Sequence, residues 1–156
     1  MNRFFPEIKH NFGFGCMRLP MAGGQVDLAE TTRMVDAFLD RGFNYFDTAH
    51  GYIGGQSETA LRACLTSRYP RDRYLLTNKL THGLFEATPE GVRKFFEMQL
   101  AACGVAYFDF YLLHSQNSVF FADFKASFKA ALLFEVGREP VWTGRIFGFQ
   151  LLANYV

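Results

Sequence analysis

Up to about residue 118 the chain alternates short runs of β-branched or aromatic residues with segments of helical period, each separated by turn residues. That alternation restricts the fold to repeated βα units around a parallel sheet, because parallel neighbours need a long crossover and a helix usually supplies it. A first strand is expected at 12–17 (FGFGCM), followed by the loop RLPMAGGQ. Asp27, with Glu30 three residues on, has capping-box spacing and starts a helix with Met34, Val35, Phe38 and Leu39 on one face and Gly42 as its stop. The second unit pairs a strand at 43–46 with a helix near 57–67, whose buried stripe is Ala60, Leu61, Cys64 and Leu65. The third pairs a strand at 74–77 with a helix that opens on Thr88, Pro89 and Glu90, faces inward through Val92, Phe95, Phe96, Leu100 and Cys103, and stops at Gly104. A fourth strand is expected at 107–113, ending in His114. Beyond it, Phe120, Phe121, Phe124, Phe128, Ala131 and Leu132 recur at helical spacing over 119–136, and 145–152 could form a fifth strand.

Polar residues recur where these strands end. Asp47 follows the second strand, Tyr52 lies in the loop after it, Lys79 follows the third and His114 the fourth. In a parallel β/α barrel the loops at the carboxyl ends of the strands build the active site, so the four converge on one mouth. Their chemistry is proton transfer. A phenol is a poor acid at neutral pH, but an adjacent ammonium favours the phenolate. A carboxylate keeps that ammonium charged and in place, and an imidazole beside the phenol can orient a carbonyl oxygen. Asp47, Tyr52, Lys79 and His114 thus form a donor site for reducing a C=O, with hydride from a cofactor.

Composition removes competing classes. The 16 Lys+Arg and 15 Asp+Glu give a net charge of +1, which argues against nucleic acid or an anionic membrane as partner. Nineteen Phe and seven Tyr are read as core packing rather than as a stacking platform. Cys16, Cys64 and Cys103 are too widely spaced for a disulfide framework or a CxxC motif, and they suit a reducing compartment. No apolar run approaches the ~18 residues of a membrane span and MNRFFPEIKHN lacks the apolar region of a signal peptide, so a cytoplasmic location is expected. Asp47, His50 and His114 lack a compact ligand spacing, so no metal site is expected. His50 either lines the pocket or lies exposed in its loop; His10 and His82 are read as surface residues.

Four segments in order resemble the aldo/keto reductases. GFNYFDTAHGYIGGQSETALRACL is similar to that family's second-strand signature, LLTNKL to its lysine segment, FDFYLLH to its histidine segment and FGFGCMRLP to its first strand and loop. The resemblance covers about residues 12–118. It implies Tyr52 as general acid, Lys79 as the group that depresses its pKa, Asp47 as the partner of the lysine and His114 as the residue that orients the substrate. It further implies NADPH, less often NADH, a small aldehyde or ketone substrate and an eight-fold (β/α) TIM barrel. Gly15, Cys16, Met17, Arg18 and Asp47 map to the nicotinamide-side edge of the cofactor site. Within the family the wording is most similar to bacterial oxidoreductases of an iron-sulfur-associated subgroup, although no iron-sulfur ligands can be carried over to this chain.

Length qualifies these expectations. A complete eight-fold barrel typically needs about 250 residues and rarely fewer than about 200, against 156 here. The expected fold is therefore α/β, a partial (β/α)8 barrel of about four to five parallel units. Residues 1–118 read as its N-terminal half, and 119–156 as an amphipathic helix with an atypical tail of the kind a frameshift or premature stop leaves. Such a half is expected to be inactive alone. It would act as a homodimer that completes the barrel, or else be a non-catalytic half-barrel that self-associates or binds another polypeptide.

Overall fold

The computed structural model describes residues 6–114. The helix expected over 119–136 and the strand over 145–152 lie outside the described residues.

Four parallel strands, β1 (Gly13–Gly15), β4 (Tyr45–Asp47), β5 (Leu75–Thr81) and β6 (Phe110–His114), form a sheet in the order β1-β4-β5-β6. The helices α1 (Leu28–Asp40), α2 (Gln56–Leu61) and α3 (Pro89–Cys103) are the crossovers, so the described chain is a partial (β/α) barrel. The registers Gly15↔Asp47, Asp47↔Thr77 and Thr81↔His114 bring the strand ends to one rim.

Local signals account for the helix ends. Asp27 accepts a hydrogen bond from the Glu30 amide at 2.9 Å. The reciprocal half of the capping box is not made, because the Asp27 amide donates to the Pro20 carbonyl and the Glu30 carboxylate pairs with Arg33. Thr88 caps α3 through the Gly91 amide at 3.0 Å, with Pro89 at the first helical position and Gly104 left-handed at the end. The helix expected at 57–67 is shorter: α2 ends at Leu61 and continues as a π-type turn over Arg62–Thr66, while Ala60, Leu61, Cys64 and Leu65 are all buried. Met34, placed by spacing on the inner face of α1, is exposed.

Two further differences bear on the site. The loop RLPMAGGQ contains a small antiparallel hairpin, β2 (Met21–Ala22) with β3 (Gln25–Val26), turned by Gly23 and Gly24 at positive φ. A two-residue Gly-Gly turn is a strong hairpin signal, but strands of two residues leave no alternation to detect. The third strand, expected at 74–77, runs on to Thr81 because β6 pairs with β5 over Thr77–Thr81, and Lys79 therefore lies inside the strand rather than after it.

The core lies between the sheet and the helices. Phe14, Phe38 and Phe46 pack with centroids 5.2–5.4 Å apart. Phe96 meets Phe108 and Tyr111 edge to face at 5.6 and 4.9 Å. Among the described residues these aromatic side chains pack in the core, while Phe12 is exposed. Alternation along β5 sends Leu76, Asn78 and Leu80 toward the helices and Thr77, Lys79 and Thr81 to the opposite face.

Candidate active site

That opposite face carries the charged centre. Lys79 has no solvent exposure, and its ammonium donates to the Asp47 carboxylate and, at 2.8 Å, to the Thr48 carbonyl. The lysine side chain is 1% exposed and the Asp47 side chain 28%, so the pair has its cationic end sealed and its carboxylate toward the opening. A buried ammonium is tolerated only with such partners.

Tyr52 enters from the segment between β4 and α2. Its ring centroid lies 4.9 Å from the Lys79 nitrogen. The His114 ring meets it edge to face, 5.7 Å between centroids at 82°. His114 ends β6 opposite Thr81, whose hydroxyl lies 2.9 Å from Nδ1. Partial burial holds the imidazole below its ordinary range; the Lys79 ammonium adds to the effect and Asp47 opposes it. A neutral ring at pH 7 follows. The four residues singled out by position in the sequence are thus linked in space as Asp47–Lys79–Tyr52–His114.

On the β1 side, Gly15 is exposed beside Asp47, and among the described residues nothing beyond its chain neighbours lies within 4 Å of where a Cβ would stand. Met17 and Arg18 are exposed on the turn that follows. Cys16 is wholly buried; desolvation first, then Asp47, pushes its thiol up, so it offers the site its backbone and not its sulfur. Its carbonyl accepts from Ser57 Oγ at 2.9 Å, and Ser57 Oγ lies 2.8 Å from Thr48 Oγ1. Ser57 has a single hydroxyl proton, spent on Cys16, so Thr48 donates to Ser57. Two buried hydroxyls thereby tie the β1 turn to the residue whose carbonyl holds Lys79.

Sequence reasoning missed Thr48, because the group that works there is a main-chain carbonyl. It also left His50 between two readings; the half-buried ring turns inward to Glu58 at 2.8 Å and packs against Phe95. Glu58 had a detectable signal. It shares helical spacing with buried Leu61 and Leu65, a polar residue on an apolar stripe.

Comparison with known proteins identifies the family and the fold. The model of the "Aldo/keto reductase family" matches residues 11–120. An aldo-keto reductase of Mycolicibacterium smegmatis is 31% identical over 124 residues, 78% of this chain and 44% of that protein. The norsolorinic acid reductase of Aspergillus flavus is 33% identical over 70 residues, 45% of this chain and 18% of that protein. A crystal structure of an aldo-keto reductase from Klebsiella pneumoniae in complex with NADPH superposes with a TM-score of 0.64 at 21% identity, over 89% of this chain and 44% of that one. The chain thus spans less than half the length of these relatives.

One expectation is overturned. The iron-sulfur-associated subgroup is not indicated, since among the described residues no group of three or more His, Cys, Asp or Glu could hold a metal ion. Cys16, Cys64 and Cys103 are each a free thiol buried in the core, which explains their spacing as packing. Among the described residues no helix is long and apolar enough to cross a membrane. With the family model matching well over half of its residues, the chain belongs to the aldo/keto reductase family.

Proposed function

We propose that this chain carries the proton-donating side of a carbonyl reductase, in which a small aldehyde or ketone is reduced at the expense of NADPH, less often NADH, and Tyr52 supplies the proton. The observation that carries the reading is the placement of Lys79: a fully buried ammonium held by Asp47 and the Thr48 carbonyl and set against the Tyr52 ring.

The residues fit a nicotinamide cofactor along one edge. Among the described residues nothing crowds Gly15 beside Asp47, and with Met17, Arg18 and the backbone of Cys16 it would hold the nicotinamide end. When bound, the cofactor supplies hydride to the carbonyl carbon. The chain does the rest. The Tyr52 O–H bond breaks, its proton passes to the carbonyl oxygen, and the negative charge left on the phenol faces the Lys79 ammonium, which stabilises it. Asp47 keeps that ammonium in position. Thr81 Oγ1 lies 2.9 Å from Nδ1 of His114, and in the tautomer with its proton on Nε2 that N–H orients the carbonyl oxygen.

The active form in this reading is a homodimer, and the chain alone is inactive. Supporting it, β1 has a neighbour on one side only among the described residues, and an open strand edge favours pairing. The free buried cysteines suit the cytoplasm. A second reading, a half-barrel that binds another polypeptide without catalysis, rests on the same open edge.

NADPH oxidation with an aromatic aldehyde, followed at rising protein concentration alongside light scattering, separates these readings. Turnover is expected in the dimer and not in the monomer, and Tyr52→Phe should lower it by ~10²–10⁴-fold. Wild-type turnover by a Tyr52→Phe dimer overturns the role of Tyr52. Absence of saturable NADPH binding in every fraction overturns the reductase reading and leaves the second.

A further inference from the structure

Glu58 is a carboxylate with no exposure that the mechanism above does not use. Both its oxygens are engaged: Oε1 accepts from Asn78 Nδ2 at 2.8 Å and Gln99 Nε2 at 3.3 Å, and Oε2 lies 2.8 Å from His50 Nδ1. Asn78 comes from β5 and Gln99 from α3. Gln99 also donates to Asn78 Oδ1 at 3.0 Å and to the Lys79 carbonyl at 3.1 Å, while its own carbonyl accepts from the Tyr111 hydroxyl. The carboxylate is therefore a fixed point, held from β5 and α3 and adjoining the backbone of Lys79.

His50 is placed differently. It lies in the segment between β4 and α2, two residues before Tyr52, and its side chain is 31% exposed. The ring nevertheless reaches inward to Glu58 and sits edge to face on Phe95 at 5.3 Å. Immediately after Tyr52 the backbone is left-handed at Ile53 (φ 53), Gly54 (φ 61) and Gly55 (φ 89). Glycine accepts that conformation; a β-branched isoleucine does not, and such a residue persists only where its surroundings over-determine it. On the chain side of Tyr52 that precedes the strain, Thr48 is tied to Ser57, and the side-chain anchor nearest to Tyr52 among the described residues is His50 on Glu58.

We propose that His50 and Glu58 are positioning residues for Tyr52: the buried carboxylate holds the segment by the His50 ring, sustains the left-handed turn at Ile53, and so keeps the phenol between Lys79 and His114. This rests on the reading of Tyr52 as proton donor. It adds that donor and lysine are referenced to one group, since Glu58 grips the loop of Tyr52 through His50 and the strand of Lys79 through Asn78 and Gln99.

The test uses the full chain with 3-fluorotyrosine at position 52 alone, observed by ¹⁹F NMR without substrate. Asparagine carries its amide nitrogen where histidine carries Nδ1, whereas leucine has the same shape and no donor. One Tyr52 resonance is expected in the wild type and in His50→Asn. In His50→Leu most of that intensity should move to a second, broader resonance, while the thermal midpoint stays near that of His50→Asn. In a fraction that turns over, His50→Leu should lower kcat about tenfold or more with KM for NADPH unchanged, and His50→Asn should restore it. An unchanged resonance in His50→Leu overturns the proposal. So does an equal change in both variants, which would mean that packing on Phe95 alone holds the loop. If His50→Leu does not fold, His50→Ala takes its place in the same comparison. Because the fluorine reports without turnover, a wild type that reduces nothing overturns the reductase reading and leaves the positioning claim to be judged on the resonance.

Discussion

Replacing Lys79 with methionine separates the electrostatic role of its charge from its role in packing. The side chain is buried and donates to Asp47 and Thr48, with its nitrogen 4.9 Å from the centre of the Tyr52 ring. At that separation and an effective dielectric of about 20, the ammonium stabilises a full negative charge developing on the phenol by about 3.4 kcal/mol. At ~1.4 kcal/mol per decade this is about a 300-fold effect on rate, and it is an upper figure because the Asp47 carboxylate offsets part of the field. Stability should respond much less. Methionine fills a similar volume, and removing the ammonium also removes the several kcal/mol that burying a charge costs. Asp47 keeps 28% of its side chain in solvent and is not left stranded. The expected outcome is a loss of about two decades in single-turnover NADPH oxidation by the dimer, with an unfolding free energy within ~1–2 kcal/mol of wild type. A Lys79→Met dimer that reduces aldehyde within threefold of the wild-type rate would refute the electrostatic argument. A variant destabilised by much more than 2 kcal/mol would refute the claim that Asp47 is left adequately solvated.

The pH dependence of the reaction follows from His114, whose pKa is held below 6.5 by burial and then by Lys79. Its neutral form is favoured in the folded state, so the stability it contributes is fully present above about pH 6.5 and is lost as pH falls through the lowered value. Turnover should be flat near neutrality and fall on an acid arm below pH 6.5, and His114→Gln, which cannot titrate, should abolish that arm; an arm that survives the substitution belongs to another group. Thr31 Oγ1 is buried with no hydrogen-bond partner among the described residues. Thr31→Val keeps the shape and should add about 1 kcal/mol, a rise of ~2–4 °C in thermal midpoint by calorimetry. Gly91, in the first turn of α3, has no room for a Cβ because the Glu86 backbone lies against it. Gly91→Ala should cost ~1–3 kcal/mol in urea unfolding, and a neutral result would show that the 86–91 turn yields easily.

The parts of the fold legible in the sequence are those encoded by neighbours in the chain. Thr88 and Gly104 bracket α3 as their residue types dictate, and Val92, Phe95, Phe96 and Cys103 are buried as their spacing implies. The π-type turn after α2, the hairpin after β1 and the extension of β5 to Thr81 were not legible in this way. Two of these are settled by partners distant in sequence: β5 is prolonged by pairing with β6, and β3 is fixed by Gln56, which accepts from the Val26 amide at 3.0 Å. Of the site, the residue types at strand ends were readable. The Thr48 carbonyl was not, because the main chain carries no sequence signature, and the inward turn of His50 was not, because it depends on a carboxylate eight residues away reaching the same buried point.

Strand β5 explains why these two layers are coupled. A parallel strand buried on both faces alternates its side chains between them, so Asn78 and Lys79, adjacent in sequence, serve opposite sides. Lys79 delivers its charge to the mouth, while Asn78 joins Glu58 and Gln99 behind the sheet and also accepts from the Lys79 amide at 2.8 Å. The lysine is thus gripped at both ends, its backbone by the buried amides and its ammonium by Asp47 and Thr48. A long flexible side chain loses considerable rotamer freedom when held in one place, and here the burial of its stem and the satisfaction of its ammonium offset that loss. Lysine in water would sample many positions and stabilise a developing phenolate in few of them. Fixed in this strand it is pre-organised, which is the condition for an ammonium to act on a proton transfer without reorganising first. In the proposed reaction, the buried polar network behind the sheet is therefore what holds the charge in front of it against the phenol.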